Sequence, residues 1–591
     1  MDDPRKPGPQ GPIDWSEFIK QAQQSGAGAD FNKIKSRFSH MKKRTIIIAA
    51  VMLVLVIALA YWWFHPAINI QSIDLWGFLV VVLALVTFVL FVFRQIYQTG
   101  MGKREKSPKK VKLFTGLMAI PIAIAVIGAV GWLASQSFFP GNAEKYSTVL
   151  VTEDADFATD IPEVNYSEIP FIDKDSAVLL GNRTMGTMAD YVSQFEISDL
   201  YSQINYKGQP VRVSPLNYAD FFKWWANKDG GIPAYVIVNM STQDTEIVRL
   251  ENPIRYSDSD PFFYNVDRHV QLSHPFYMFD EKSFEINDEG EPFWIYPVQK
   301  RTIGLFGGTT IQRVVLCNAS TGECQDYAIE DVPQWVDRAY PAELLIEQYN
   351  WSGALSGGWI NSWLGQNGVK QTTPSTDGKS GFNYIAQDDD VWVYSGVTSA
   401  TADNSIIGCV MINQRTAESK FYSVAGATEE SAMRSAEGQV QHLQYDATFP
   451  LLINVDGQPT YFMALKDAAG LVKMYAMVDI QRYQNVAVGD TLAATEKSYK
   501  QLLVSQGINV GGSDASAHPA AGSTSGTIAS ISPVVIDGNS HYYLILDGQQ
   551  AIFDCPVASV VDVVRYKVGD VIVLNHGSSE GNVVLVDSIG E

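Results

Sequence analysis

The chain has 591 residues, of which 46% are hydrophobic, 12% aromatic and 18% charged. That composition excludes a disordered or fibrous polypeptide and allows three or four domains at roughly 150 residues each. Its net charge of −21 is unevenly spread: residues 137–591 carry 27 Lys and Arg against 57 Asp and Glu. Such a surface repels phosphate backbones, so nucleic acid is not an expected partner.

Residues 1–44 form a basic tail with nine Lys and Arg against five acids, and 94–112 carry seven against one. Between and after them run three stretches without charge, 45–64, 75–93 and 113–135. A helix needs about 20 apolar residues to cross ~30 Å of hydrocarbon, so these predict three transmembrane α-helices and a lipid bilayer as partner. Positive charge marks the cytoplasmic side. The expected topology therefore places 1–44 inside, 45–136 as a three-helix anchor with a cytoplasmic loop at 94–112, and 137–591 outside the plasma membrane.

Beyond the anchor one pattern recurs. Segments 236–244, 315–323 and 410–418 each run from an apolar strand into Asn-x-x-Thr-x-acid, with Asn239, Asn318 and Asn413 leading and Thr242, Thr321 and Thr416 following. A degenerate copy spans 476–484 around Asp479. Asn accepts hydrogen bonds from backbone two residues on and tolerates left-handed dihedrals, so the pattern predicts β-hairpins. A second turn, Ile-Asn-x-x-Gly-x-Pro, occurs at 204–210, 286–292 and 453–459, where Gly supplies positive φ and Pro opens the outgoing strand.

Helices are expected at 332–348, 429–443 and 493–503. The predicted organisation is a pair of α+β modules at 137–349, a Trp- and Gly-rich insertion at 350–383, and a second pair at 384–506. A Gly/Ser/Ala linker at 507–526 then leads to a small β-barrel at 527–591. The segment Lys567 to Asp570 before an apolar strand makes the barrel OB-like.

The hairpin at 315–323, with Thr321, Gly322 and Glu323, resembles the PepSY module of bacterial envelope proteins. The whole chain is similar to multi-pass membrane proteins of Firmicutes-type bacteria. The resemblance implies an extracytoplasmic region of repeated antiparallel strand–hairpin–helix modules in the bacterial cell envelope, and restraint of a secreted peptidase or wall enzyme.

No HExxH, nucleophile elbow, Walker loop or dinucleotide fingerprint occurs. No catalytic, cofactor-binding or metal residue is therefore assigned and no cofactor is expected. Asp267, His269, His274 and Asp280 form the densest polar cluster; they suit zinc or acid–base chemistry in kind but lack helical ligand spacing. Cys317 and Cys324 flank a turn, and two readings stay open, a disulfide across the hairpin or two buried thiols. Trp351, Trp359, Ile360, Trp363 and Leu364 lie among Gly and Ser, as an interaction surface would.

Three functions follow as expectations. The first is a non-enzymatic, membrane-anchored binding protein for another envelope or membrane protein. The second is a structural scaffold subunit of a membrane complex. The third is a metal-dependent enzyme using the 267–280 cluster.

Overall fold

A computed structural model describes residues 43–590, apart from 101–107, 164–168, 375–380, 388, 401–404, 507, 509–521, 537–538, 550, 558–559 and 577–582. Nearly all of the basic tail, part of the 94–112 loop and most of the expected linker lie outside the described residues.

The three apolar stretches form helices α1 (Lys43–Phe64), α2 (Ile73–Gly100) and α3 (Pro108–Ala134). The expectation that they cross a membrane is corrected: among the described residues, no helix is long and apolar enough to do so. Apolar patterning also does not register that these helices dock on the rest of the chain. Leu305 N and Phe306 N each donate to Ser135 Oγ at 3.0 Å beyond α3. Ile68 N donates to Pro275 O at 2.6 Å beyond α1, and the Arg268 guanidinium lies 4.1 Å from the Trp62 ring. The multi-pass topology, the plasma-membrane location and the extracytoplasmic placement of 137–591 fall with the spans.

The fold is mixed α/β, not three spanning helices followed by repeated modules. Four antiparallel sheets dominate it. The first comprises Phe195–Ile197, Ser202–Tyr206, Gln209–Tyr218, Ile232–Asn239 and Thr245–Ile254; the second comprises Ser283–Ile286, Pro292–Ile303, Gly307–Asn318 and Cys324–Ala328. The third is centred on Asp390–Ser399 and Gly408–Asn413, and gains Thr152–Ala155 as a parallel edge strand beside Ser419–Tyr422. The fourth is centred on Gln458–Lys466 and Val472–Asp479. Helices alternate with the sheets along the chain: α4 (Lys174–Gly186) precedes the first, α5 (Val266–Ser273), α6 (Ala342–Leu355) and α7 (Glu429–Gln439) follow the hairpins of the first three, and α8 (Leu492–Ser505) closes the fourth.

Three of the sheets are buried on both faces, because successive strand side chains point opposite ways. In the second, Trp294, Tyr296, Val315 and Cys317 enter one core while Ile295, Val314 and Leu316 enter another. The third sheet shares that second core through Val410 and Ile412, and sends Cys409 and Met411 into a third core. The fourth sheet meets the third through Tyr461 and Met463, and the first through Phe462 and Ala464. The four sheets therefore close a ring in which each packs on two others. Five strands at the C-terminus form a separate closed barrel. Its first strand, Gly522–Ile536, takes in the end of the expected linker.

Candidate functional site

The site begins with a turn. Asn318 N donates to Glu323 O at 2.9 Å and Gly322 N to Asn318 O at 2.8 Å, enclosing a four-residue loop. The Asn318 side chain accepts from Ser320 N at 3.0 Å and Thr321 N at 2.9 Å, and Thr321 Oγ1 accepts from Glu323 N at 3.2 Å. Asn239 and Asn413 accept the equivalent bonds in their own hairpins. The fourth loop residue turns left-handed, at φ 77° for Gly322, 68° for Gln243 and 60° for Ala417. Gly relieves at 322 a strain the other two turns retain. A Cβ there would also overlap the Tyr256 ring.

Opposite residues of an antiparallel pair alternate between hydrogen-bonded and non-hydrogen-bonded positions, the latter with closer side chains. Asn318 and Glu323 are hydrogen-bonded, so the next pair, Cys317 and Cys324, is not. Cys317 is fully buried and Cys324 half-buried; both are free thiols. Onto this pair α5 brings His269. Its helix is capped by Asn265, whose side chain accepts from Arg268 N at 3.1 Å. The imidazole Nε2 lies 2.8 Å from Gly322 O, and the Tyr256 ring covers it at 4.3 Å. The ligand atoms of His269, Cys317 and Cys324 all fall within 4.8 Å of one another.

The electrostatics divide the two thiols. Cys324 is held well below the ordinary thiol range, first by the hydrogen bond from Cys317 and then, against burial, by the His269 imidazole. Cys317 is pushed up by donating that bond and by burial. Cys324 raises His269 in turn. Burial, with the Asp554 charge adding to it, pushes Cys555 up to about 12, and burial with the Glu429 charge moves Cys409 the same way.

The rest of the predicted polar cluster does not converge on this point. Asp267 accepts from Tyr296 Oη and Lys282 Nζ, both at 2.6 Å. Asp280 accepts from Gln299 Nε2 at 2.8 Å, and His274 stacks on Tyr277 with ring centroids 5.3 Å apart. Asp267 and Asp280 instead line a cavity of about 390 Å³ with Asp258 and Lys282. Of the insertion residues, Trp351 packs on Tyr146 at 4.9 Å. Trp359 and Trp363 stack at 6.1 Å, and Trp359 also meets Phe138. Ile360, Trp363 and Leu364 are exposed.

A zinc ion is the other ligand that Cys and His side chains invite. A structural zinc takes four protein ligands and a catalytic one takes three with an open position; three converge here. Nε2, 2.8 Å from the Gly322 carbonyl oxygen, donates its proton there, which leaves the lone pair of the other ring nitrogen to accept a thiol proton or to bind a metal. His269 and Cys324 form a thiol–imidazole pair in which the ring can take up the thiol proton and stabilise the thiolate. No family model matches the chain, and no curated protein matches it.

Proposed function

We propose that the protein carries a redox-active dithiol, with Cys324 as the attacking thiolate and Cys317 as the resolving thiol. The observation that carries this reading is the placement of His269 against two cysteines in direct cross-strand register. In the forward direction Cys324 Sγ attacks one sulfur of a small-molecule disulfide, whose other half leaves as a thiolate and takes up a proton. Cys317 then gives up its proton, attacks Cys324 Sγ and releases the second thiol. One disulfide is reduced to two thiols, and the protein dithiol is oxidised to a disulfide.

The test is to treat the full chain with oxidised dithiothreitol, then alkylate and map peptides. A 317–324 disulfide forming while Cys409 and Cys555 stay reduced is the expected result. Four thiols of equal inertness, or stoichiometric zinc in the purified protein, overturn it.

Exposed Ile360, Trp363 and Leu364 beside the Trp359 and Phe138 pair favour a second reading, a surface that binds another protein. Crosslinking from position 360 tests that reading, and recovery of no partner above the level of an Ile360→Ser variant sinks it.

A further inference from the structure

Strand Gln209–Tyr218 of the first sheet carries one cation among apolar neighbours, Arg212. Its side chain is 6% exposed and its Nε has no hydrogen-bond partner. Among the described residues no carboxylate forms an ion pair with it. The Tyr384 ring lies 6.0 Å from its guanidinium, and the nearby Arg338 adds a second positive charge rather than a counter-ion. The nearest acids are committed or remote: Asp173 caps α4 by accepting from Ser176 N at 2.9 Å and pairs with Lys466, and Asp175 is exposed. Burial of a guanidinium without a counter-charge is costly, and its effect is visible in an Arg212 pKa held down to about 10.

Arg212 lines a cavity of about 180 Å³ between the first, third and fourth sheets. Its walls include Phe171, Phe382, Tyr384, Phe449 and Phe462. The start of α4, a 13-residue helix, forms one end through Asp173 and Lys174. Helix N-termini favour anions, and here Lys466 offsets the charge of the capping Asp173. A cavity of about 150 Å³ lined by Leu, Ile and Phe holds benzene, so the volume fits one ring and a small polar group.

We infer that this cavity binds a small aromatic carboxylate, with its ring among the phenylalanines and its carboxylate on the Arg212 guanidinium. A planar carboxylate meets the guanidinium fork with two parallel hydrogen bonds, which Lys cannot supply. The inference is independent of the dithiol, which lies on the second sheet.

The experiment is calorimetric titration of the full chain with benzoate, with benzyl alcohol as the neutral isostere and inorganic phosphate as the anion lacking a ring. Benzoate is expected to bind at least tenfold more tightly than either comparison. Arg212→Met, which keeps length and removes charge, is expected to abolish that preference while far-UV circular dichroism stays unchanged. If Arg212→Met does not fold, Lys174→Gln at the exposed rim serves instead, with benzoate affinity weakened two- to fivefold. Equal binding of benzoate and benzyl alcohol overturns the inference. Preference for phosphate, or benzoate binding that survives loss of Arg212, does the same.

Discussion

Replacing His269 by alanine tests the electrostatics of the dithiol. In the structure the imidazole helps hold Cys324 low, and a hydrogen bond to a charged group contributes about 1.5–3 kcal/mol. At 1.36 kcal/mol per pH unit, its loss raises the Cys324 midpoint by about 1–2 units. Two effects then compete in attack on a small disulfide. Below both midpoints the thiolate fraction falls about tenfold per unit, while intrinsic nucleophilicity rises about threefold with a Brønsted slope near 0.45. The net rate therefore drops about threefold to tenfold at acidic pH. Above both midpoints thiolate is complete in each protein and only nucleophilicity differs, so His269→Ala reacts about threefold to eightfold faster. The assay is stopped-flow reaction with a small aromatic disulfide from pH 4 to 10, on protein with Cys409 and Cys555 changed to serine. A variant whose rate shifts in the same direction across the whole range refutes the argument, because only a moved midpoint makes the two profiles cross.

Two further outcomes follow from local geometry. Gly322→Ala combines a left-handed φ with overlap of the Tyr256 ring. Gly208→Ala has a similar φ and open space around the added Cβ. The first is expected to lower Tm clearly more than the second, whose cost is about 1 kcal/mol of backbone strain; equal shifts measured by calorimetry would count against the Tyr256 contact. The buried carboxyls of Asp337 and Glu285 are both raised, chiefly by burial, and the Glu285 charge raises Asp337 further. A folded pKa above the unfolded value means stability fully present below the unfolded carboxylate range and lost as pH rises through the folded value. Asp337→Asn, which can still accept from Asn205 N, should flatten the fall in Tm between pH 5 and 8; an unchanged slope contradicts this.

What could be read in advance divides along physical lines. Hairpin turns are legible because their chemistry is local: Asn239, Asn318 and Asn413 each accept from the next two backbone amides beyond their neighbour. Asp479 accepts the same pair of bonds, but its hairpin closes on Asn485 rather than five residues on, which accounts for its degenerate sequence. Strand faces are less legible. Segments such as Gly408–Asn413 and Leu451–Val455 are buried at every position, so no polar alternation marks which side meets which core. The ring of four sheets is invisible for that reason, and so is the docking of α1 and α3. Length and hydropathy alone describe an apolar helix without saying what it rests against.

The candidate site failed to show in the sequence for a different reason. His269 stands 48 residues before Cys317, and neither spacing nor motif links them. What joins them is the turn: Gly322 aims its carbonyl at Nε2, and the same loop places Cys317 and Cys324 at a non-hydrogen-bonded pair. Grouping His269 with Asp267, His274 and Asp280 follows sequence distance, whereas α5 turns Asp267 toward Lys282 and Tyr296 and His269 toward the thiols. Two residues apart on a helix lie about 200° around its axis, so neighbours in sequence face different environments. Arg212 offers the opposite lesson. A single cation in the run Gln209–Tyr218, whose other residues are largely apolar or small, is a local signal. A buried charge is costly without a counter-charge, and among the described residues no carboxylate forms an ion pair with Arg212.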